Sequence, residues 1–399
     1  MVRILHISDF HLNRKNLRDW KNFVSEKMLH KIKEHDKEHK ISFIAFTGDM
    51  LDKGGVEYSN PAEAFAIFKN EVIIPILLAL SLPINRFLII PGNHDIVRSK
   101  DSSRDEKGSL EFFKNVDDLA QFMEDAIKKE DYSGMMRIQD YKNFEKELYK
   151  GISKKEIFWT VFGTSFILNE NGKKTGICCL NSAWRCYNKE DKGNLLIGEQ
   201  QLIGNWNFIK DCDIKIAMVH HPLDEFADVE KKIISDHIYK DFDLLLLGHS
   251  HESVTSMQTG VMGTLFINLA PSGTNDIRSD SRTFANGFTV IDFNKEKKEV
   301  DCFYWRYNHN KKEFVPNTDM GIGQTGTASF KIPDDPKESK KELIRDLLNN
   351  IKEDHFQEMD DHLIGMRADV IKKTLKEGFI FPPLIKVSEL MRVKLKKKY

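Results

Sequence analysis

No apolar stretch in this 399-residue chain approaches the roughly 18 residues that a membrane-spanning helix requires. A protein crossing a membrane by helices is therefore not expected. Cysteine is scarce, five in all, and none falls in a CxxC or other zinc-ribbon spacing. An odd number leaves at least one thiol unpaired, so reduced cysteines in a cytoplasmic protein are the expectation. Neither sign of charge is in excess: 60 Lys and Arg stand against 61 Asp and Glu, a formal net charge of −1. That balance gives no global attraction to nucleic acid or to an anionic lipid surface, and leaves only local patches to draw a charged partner. Internal repeats, low-complexity tracts and a Gly-x4-Gly-Lys-Ser/Thr nucleotide-binding loop are all absent. Strand-like apolar residues begin at Val2, which leaves no room for a charged and apolar leader, so export by a standard signal is not expected.

What the chain does have is a set of ligand-bearing motifs in one order: Asp9-Phe10-His11, Gly48-Asp49-Met50-Leu51-Asp52, Gly92-Asn93-His94-Asp95, His220-His221-Pro222 and Gly248-His249-Ser250-His251. Each closes an apolar run, at residues 2–7, 41–46, 87–90, 214–219 and 244–247. Such runs read as buried strands that carry Asp, Asn and His side chains to one rim of a sheet. Amphipathic stretches at 17–39, 61–80 and 229–239 separate them, which makes an alternating α/β plan. Further strand-like runs at 161–168, 176–181, 264–270, 287–293 and 300–307 raise the number beyond one short sheet. Any one motif recurs by chance in many proteins; all of them in register across about 240 residues do not.

Residues 1–310 read as one domain interrupted by a charged helical insertion at about 97–158, which starts directly after the Gly92 to Asp95 loop and is placed to overhang it. Residues 311–336, rich in Gly, Thr, Pro and Asp, read as a linker or an irregular surface segment. Helical spacing returns in a C-terminal extension, 337–399, whose basic run at 392–398 reads as a solvated tail.

Asp9 and His11 stand two apart, so on extended backbone their side chains would face the same way and hold one metal together. His249 and His251 repeat the spacing. A donor set of carboxylate, amide oxygen and imidazole without thiolate suits Mn²⁺, Fe, Zn²⁺, Co²⁺ or Ni²⁺ and argues against Cu(I). Mn²⁺ is the expectation, with Fe or Zn in one position. Asp95 is either a turn former or a support for a neighbouring ligand. His6, His30, His35 and His39 read as non-ligands, the last three solvated on a charged helix.

The motifs together resemble the calcineurin-like metallophosphoesterase superfamily. The resemblance implies an α/β fold of two facing mixed β-sheets flanked by helices. It also implies that Asp9, His11, Asp49 and His251 hold a first divalent metal ion, while the same bridging Asp49 with Asn93, His220 and His249 holds a second. Relatives often keep only the first histidine of the His-His-Pro pair, which leaves His221 as a pocket or packing residue. By the same resemblance, His94 donates the proton to the departing alkoxide and Asp52 raises the pKa of His94. A water bridging the two cations would be the nucleophile for in-line attack on phosphorus.

The expected substrate is a nucleotide or nucleic-acid phosphodiester. His220-His221-Pro222 with Gly248 to His251 looks more like the bacterial cyclic-nucleotide phosphodiesterases than the protein phosphatases, which carry His-Gly-Gly at the first position and Arg-Gly where this chain has Lys53-Gly54. The segment from Cys179 to Trp184, followed by Ile197 to Gln200, also resembles metallophosphoesterases of bacterial defence operons. That resemblance implies an alternative: a DNA or RNA nuclease effector of antiviral defence, acting with an ATPase on another chain docked through residues 379–398. A non-catalytic metal-binding scaffold is the third reading; the intact ligand set and His94 argue for catalysis instead.

Overall fold

Strands form where both faces of an apolar run can be covered. β1 (Val2–Ile7), β2 (Phe43–Phe46) and β3 (Phe87–Ile89) are buried at every position, as parallel strands between two covering layers must be. The computed structural model describes residues 1–333 apart from 171, 189–190, 252–253, 261, 275–285 and 322–324. α1 (Arg14–Asp19) and α2 (Ser25–Glu38) run on through one wider turn at Trp20–Val24. α3 (Pro61–Phe68) and α4 (Ile74–Leu80) repeat that device between β2 and β3. The side chains of Asn13 and Asn60 accept the N–H groups of Asn16 and Glu63, and Pro61 occupies the first helical turn, so both starts are written in the sequence.

The insertion carries α5 (Ser103–Phe112), α6 (Val116–Lys129) and α7 (Gln139–Leu148). β4 (Ile157–Trp159), β5 (Thr164–Glu170), β6 (Lys173–Leu180), α8 (Glu199–Ile209), β7 (Ile214–Val219), α9 (Asp228–Asp241) and β8 (Leu244–Leu247) follow. A hairpin of β9 (Val254–Gly260) and β10 (Gly263–Leu269) leads to β11 (Gly287–Asn294), β12 (Glu299–Asn308), β13 (Glu313–Pro316) and β14 (Thr327–Lys331).

These strands make two mixed seven-stranded sheets, one in the order β13-β12-β11-β1-β2-β3 with β14 also on β12, the other β4-β5-β6-β7-β8-β10-β9. The sheets meet through buried polar side chains as well as apolar ones: His6 of β1 bonds Asn268 of β10 at 2.6 Å, and the Thr47 hydroxyl donates to the Leu247 carbonyl at 3.3 Å. Helices flank both sheets, with α8 against β5 and β6 and α9 against β10. The architecture is the two-sheet sandwich that the resemblance implies. No helix among the described residues is long and apolar enough to cross a membrane.

The insertion is fastened to the body by buried charge. Arg137 donates to Asp101 at 2.7 Å, to Glu106 at 2.9 Å and to the Cys186 carbonyl at 2.9 Å, and Arg185 donates to the other oxygen of Glu106 at 2.6 Å. α6 packs on α8 and α7 on α3. Two expectations need correction, and two strands are added. Part of 311–336 is not linker but the strands β13 and β14, both paired with β12. β4 and β9 are strands that the sequence pattern does not show. His35 is buried, not solvated, because the face of α2 that carries Met28 and Ile32 turns it onto β12, where the Trp305 indole N–H donates to it at 2.8 Å. The expected helical extension and basic tail lie outside the described residues.

Candidate metal centre

The loops after β1, β2, β3, β7 and β8 converge on one rim. The Asp9 N–H donates to the Gly48 carbonyl and those of Phe10 and His11 to the Asp49 carbonyl, all at 2.9 Å, so the first motif lies directly on the second. The backbone here is not extended, which corrects the geometry expected for Asp-x-His and His-x-His. Asp9, His11, Asp49, His249 and His251 all have left-handed backbone, with φ of 53°, 48°, 57°, 70° and 58°. Each such residue costs about 1–2 kcal/mol, and in return the chain folds back so that its side chains point into one small volume. Two glycines allow the close approach. A Cβ on Gly92 would stand 2.1 Å from Asp49 Oδ1, and one on Gly48, at φ 100°, 2.5 Å from His220 Nδ1.

Asp9, His11 and His251 form a first cluster. His251 Nε2 lies 3.3 Å from Asp9 Oδ1, His11 Nε2 3.7 Å from the same oxygen, and the two imidazole nitrogens 3.1 Å from each other. Asp9 Oδ1 is buried and accepts no hydrogen bond. A second cluster joins His220 Nε2 and His249 Nδ1 at Asn93 Oδ1, 3.2 and 3.1 Å away. Asp49 stands between the two: its Oδ1 accepts the His94 N–H at 2.7 Å, while its Oδ2 lies 3.8 Å from His11 Nε2 and 3.5 Å from His220 Nε2. The structure thus holds two clusters of hard and borderline donors suited to divalent cations. Lone pairs that face one another, with an unpartnered buried carboxylate oxygen among them, are satisfied by a cation and poorly by anything else. The local field agrees: burial disfavours charge on His220, yet the carboxylates of Asp49 and Asp9 outweigh it and raise its pKa to about 9.

Beside the clusters, the ring of His94 bonds Asp52 through Nδ1 at 3.1 Å and meets the ring of His11 edge to face. Asp95 is buried, accepting the Leu51 and Gly92 N–H groups at 2.8 Å, and so holds the second and third motifs together. Burial and the nearby Asp49 raise its pKa to about 7. Of the His-His pair, His220 turns inward and donates from Nδ1 to the Thr47 carbonyl at 2.6 Å. The His221 ring lies 4.7 Å from the rings of both His220 and His249, but it is bonded to Ser182 at 2.7 Å and stands 3.6 Å from the Cys186 sulfur. Ser182 lies in the Cys179 to Trp184 segment already singled out, whereas Thr47 and Cys186 carry no motif that would have marked them. Nor does Arg98, an exposed guanidinium whose Nη2 comes within 3.5 Å of the Asn93 carbonyl.

Residues 2–253 match the family model described as calcineurin-like phosphoesterase. The uncharacterized metallophosphoesterase-like protein YydB of Bacillus subtilis (strain 168) is 26% identical over 369 residues, which cover 89% of this chain and 70% of that protein. Among solved structures, a dimetal phosphatase from Danio rerio matches with a TM-score of 0.41 at 10% identity, covering 79% of this chain and 98% of its own. Wild-type Vps29 from Entamoeba histolytica, complexed with Zn²⁺, matches with a TM-score of 0.31 at 12% identity, covering 79% and 96%.

Proposed function

The chain belongs to the calcineurin-like phosphoesterase family, and on that premise we propose that it is a two-cation phosphodiesterase acting on a nucleotide or nucleic-acid phosphodiester. The observation that carries the reading is the His94–Asp52 pair, 3.1 Å apart and next to the clusters. A site that only stores metal has no use for a proton donor held in one orientation; hydrolysis does. Asp9, His11, Asp49 and His251 would hold one ion and Asp49, Asn93, His220 and His249 the other, with Mn²⁺ the proposed metal. Bound there, the ions would supply the nucleophile and neutralise the phosphoryl oxygens.

The residues do the rest. With Nδ1 bonded to Asp52, His94 presents Nε2 as its other nitrogen, and a proton there can pass to the departing alkoxide. The Asp52 carboxylate, 3.1 Å from Nδ1, fixes the orientation of the ring. Asp95 and Gly92 keep Asp49 in place from behind. Arg98, at the exposed edge beside Asn93, supplies positive charge to an incoming anion.

A metal-binding scaffold without turnover is the second reading, and the two clusters by themselves would serve it as well as they serve an enzyme. One assay separates the two. The Mn²⁺-loaded protein should hydrolyse a chromogenic phosphodiester, and Asp49→Asn, which removes the charge shared by both clusters, should abolish hydrolysis and lower metal content. Two bound ions with no hydrolysis of this or of cyclic mononucleotides, cyclic dinucleotides, DNA or RNA would establish the scaffold. Hydrolysis of DNA or RNA in preference to the small substrates would favour the nuclease.

A further inference from the structure

We propose that Glu225 is a positioning residue for the second cation, fixing the tautomer of His249 and supplying the negative charge that this half of the centre otherwise lacks. The inference rests on the two-cation reading above. The two clusters are unequal in carboxylates: the first has Asp9 and Asp49, whereas the second has only the shared Asp49 beside the Asn93 amide and the imidazoles of His220 and His249. A divalent ion there would be held by less charge.

Glu225 stands where it corrects both deficiencies. Its Oε2 lies 3.6 Å from His249 Nε2, on the side of the ring opposite the Nδ1 that faces Asn93 at 3.1 Å. A carboxylate beside Nε2 keeps the hydrogen on that nitrogen, which leaves the Nδ1 lone pair directed inward. His220 is treated alike, with the Thr47 carbonyl fixing its outer nitrogen at 2.6 Å. Backbone contacts hold Glu225 independently of its side chain: its N–H donates to the Pro222 carbonyl at 3.1 Å and its carbonyl accepts the Gly193 N–H at 2.7 Å. The short turn Leu223–Glu225 after His220-His221-Pro222 therefore delivers one metal-facing histidine and the carboxylate that orients another.

Calorimetric titration of the metal-free full-length chain with Mn²⁺ tests this, using Glu225→Gln and Glu225→Ala beside the unaltered protein. Two binding steps are expected for the unaltered protein. Glu225→Ala should weaken only one step, by about 10- to 100-fold. Glu225→Gln, which keeps an oxygen facing Nε2 but carries no charge, should fall between the two. Long-range ¹H–¹⁵N spectra should show the His249 hydrogen on Nε2 in the loaded unaltered protein and a mixture of tautomers in Glu225→Ala. If the unaltered protein takes up two ions and both folded variants match its two affinities within twofold, the role of Glu225 is refuted and the two-cation reading stands. Fewer than two ions in the unaltered protein would refute both.

Discussion

His94 bears the heaviest demand of any single residue in the proposed reaction, since it alone would move a proton. His94→Ala should keep both ions, because no donor atom to either cluster is removed, yet lower turnover by about 10² to 10⁴. The loss should shrink for esters with good leaving groups, which need less protonation. Steady-state rates on a p-nitrophenyl and an alkyl phosphodiester check this, and equal losses would deny His94 the donor role. The side chains of the centre were legible because metal chemistry limits them to Asp, Asn and His, and because each follows an apolar run. Their backbone was not legible. The left-handed φ at Asp9, His11, Asp49, His249 and His251 accompanies loops lying across one another, and the enrichment of Asp and His in that region is too small to mark any one of them in advance. Glu225 was hidden for a related reason: it owes its role to a partner on another segment.

At the level of elements, uniformly apolar strands such as β2 and β8 announce themselves, whereas β9, mostly exposed with the sequence Val-Thr-Ser-Met-Gln-Thr-Gly, does not. An edge strand is held by the hydrogen bonds of its neighbour, and its side chains need carry no pattern. The ion network of the insertion was equally invisible, because Asp101, Glu106, Arg137 and Arg185 read as ordinary surface charge until packing brings them together. A further buried acid gives α9 a testable pH response. Glu230, in its first turn, accepts the Ile197 and Gly198 N–H groups at 2.6 and 2.8 Å, and burial raises its pKa from 4.5 to about 7 despite those bonds. The folded state then holds this proton more tightly than the unfolded state does. Its contribution is full below pH 4.5 and is lost as pH rises through about 7, on the order of 3 kcal/mol in all. Glu230→Gln keeps one acceptor for the two donors and does not titrate, so its unfolding free energy should change less between pH 5 and 7.5 than that of the unaltered protein. Parallel urea melts at the two pH values measure the difference, and equal slopes would contradict the assignment.

For the whole molecule, the centre joins the two sheets. The loops after β1, β2 and β3 bring Asp9, His11, Asp49 and Asn93, and those after β7 and β8 bring His220, His249 and His251. Cations held between them would bind the folded state and not the unfolded one, so Mn²⁺ at a hundredfold excess over its dissociation constant should add about 2.7 kcal/mol of stability. Thermal melts with Mn²⁺ and then with EDTA should show a rise and its reversal, and in Asp49→Asn most of the rise should vanish. The same division of donors has a consequence for synthesis. On the proposed assignment neither ion is fully ligated until His249 has been made, and translation from Asn93 to His249 takes on the order of ten seconds at about 5–20 residues per second. A nascent chain that has made only β1, β2 and β3 is therefore unable to capture the full metal pair. Loading becomes a late checkpoint, reached only by chains whose second half has folded onto the first.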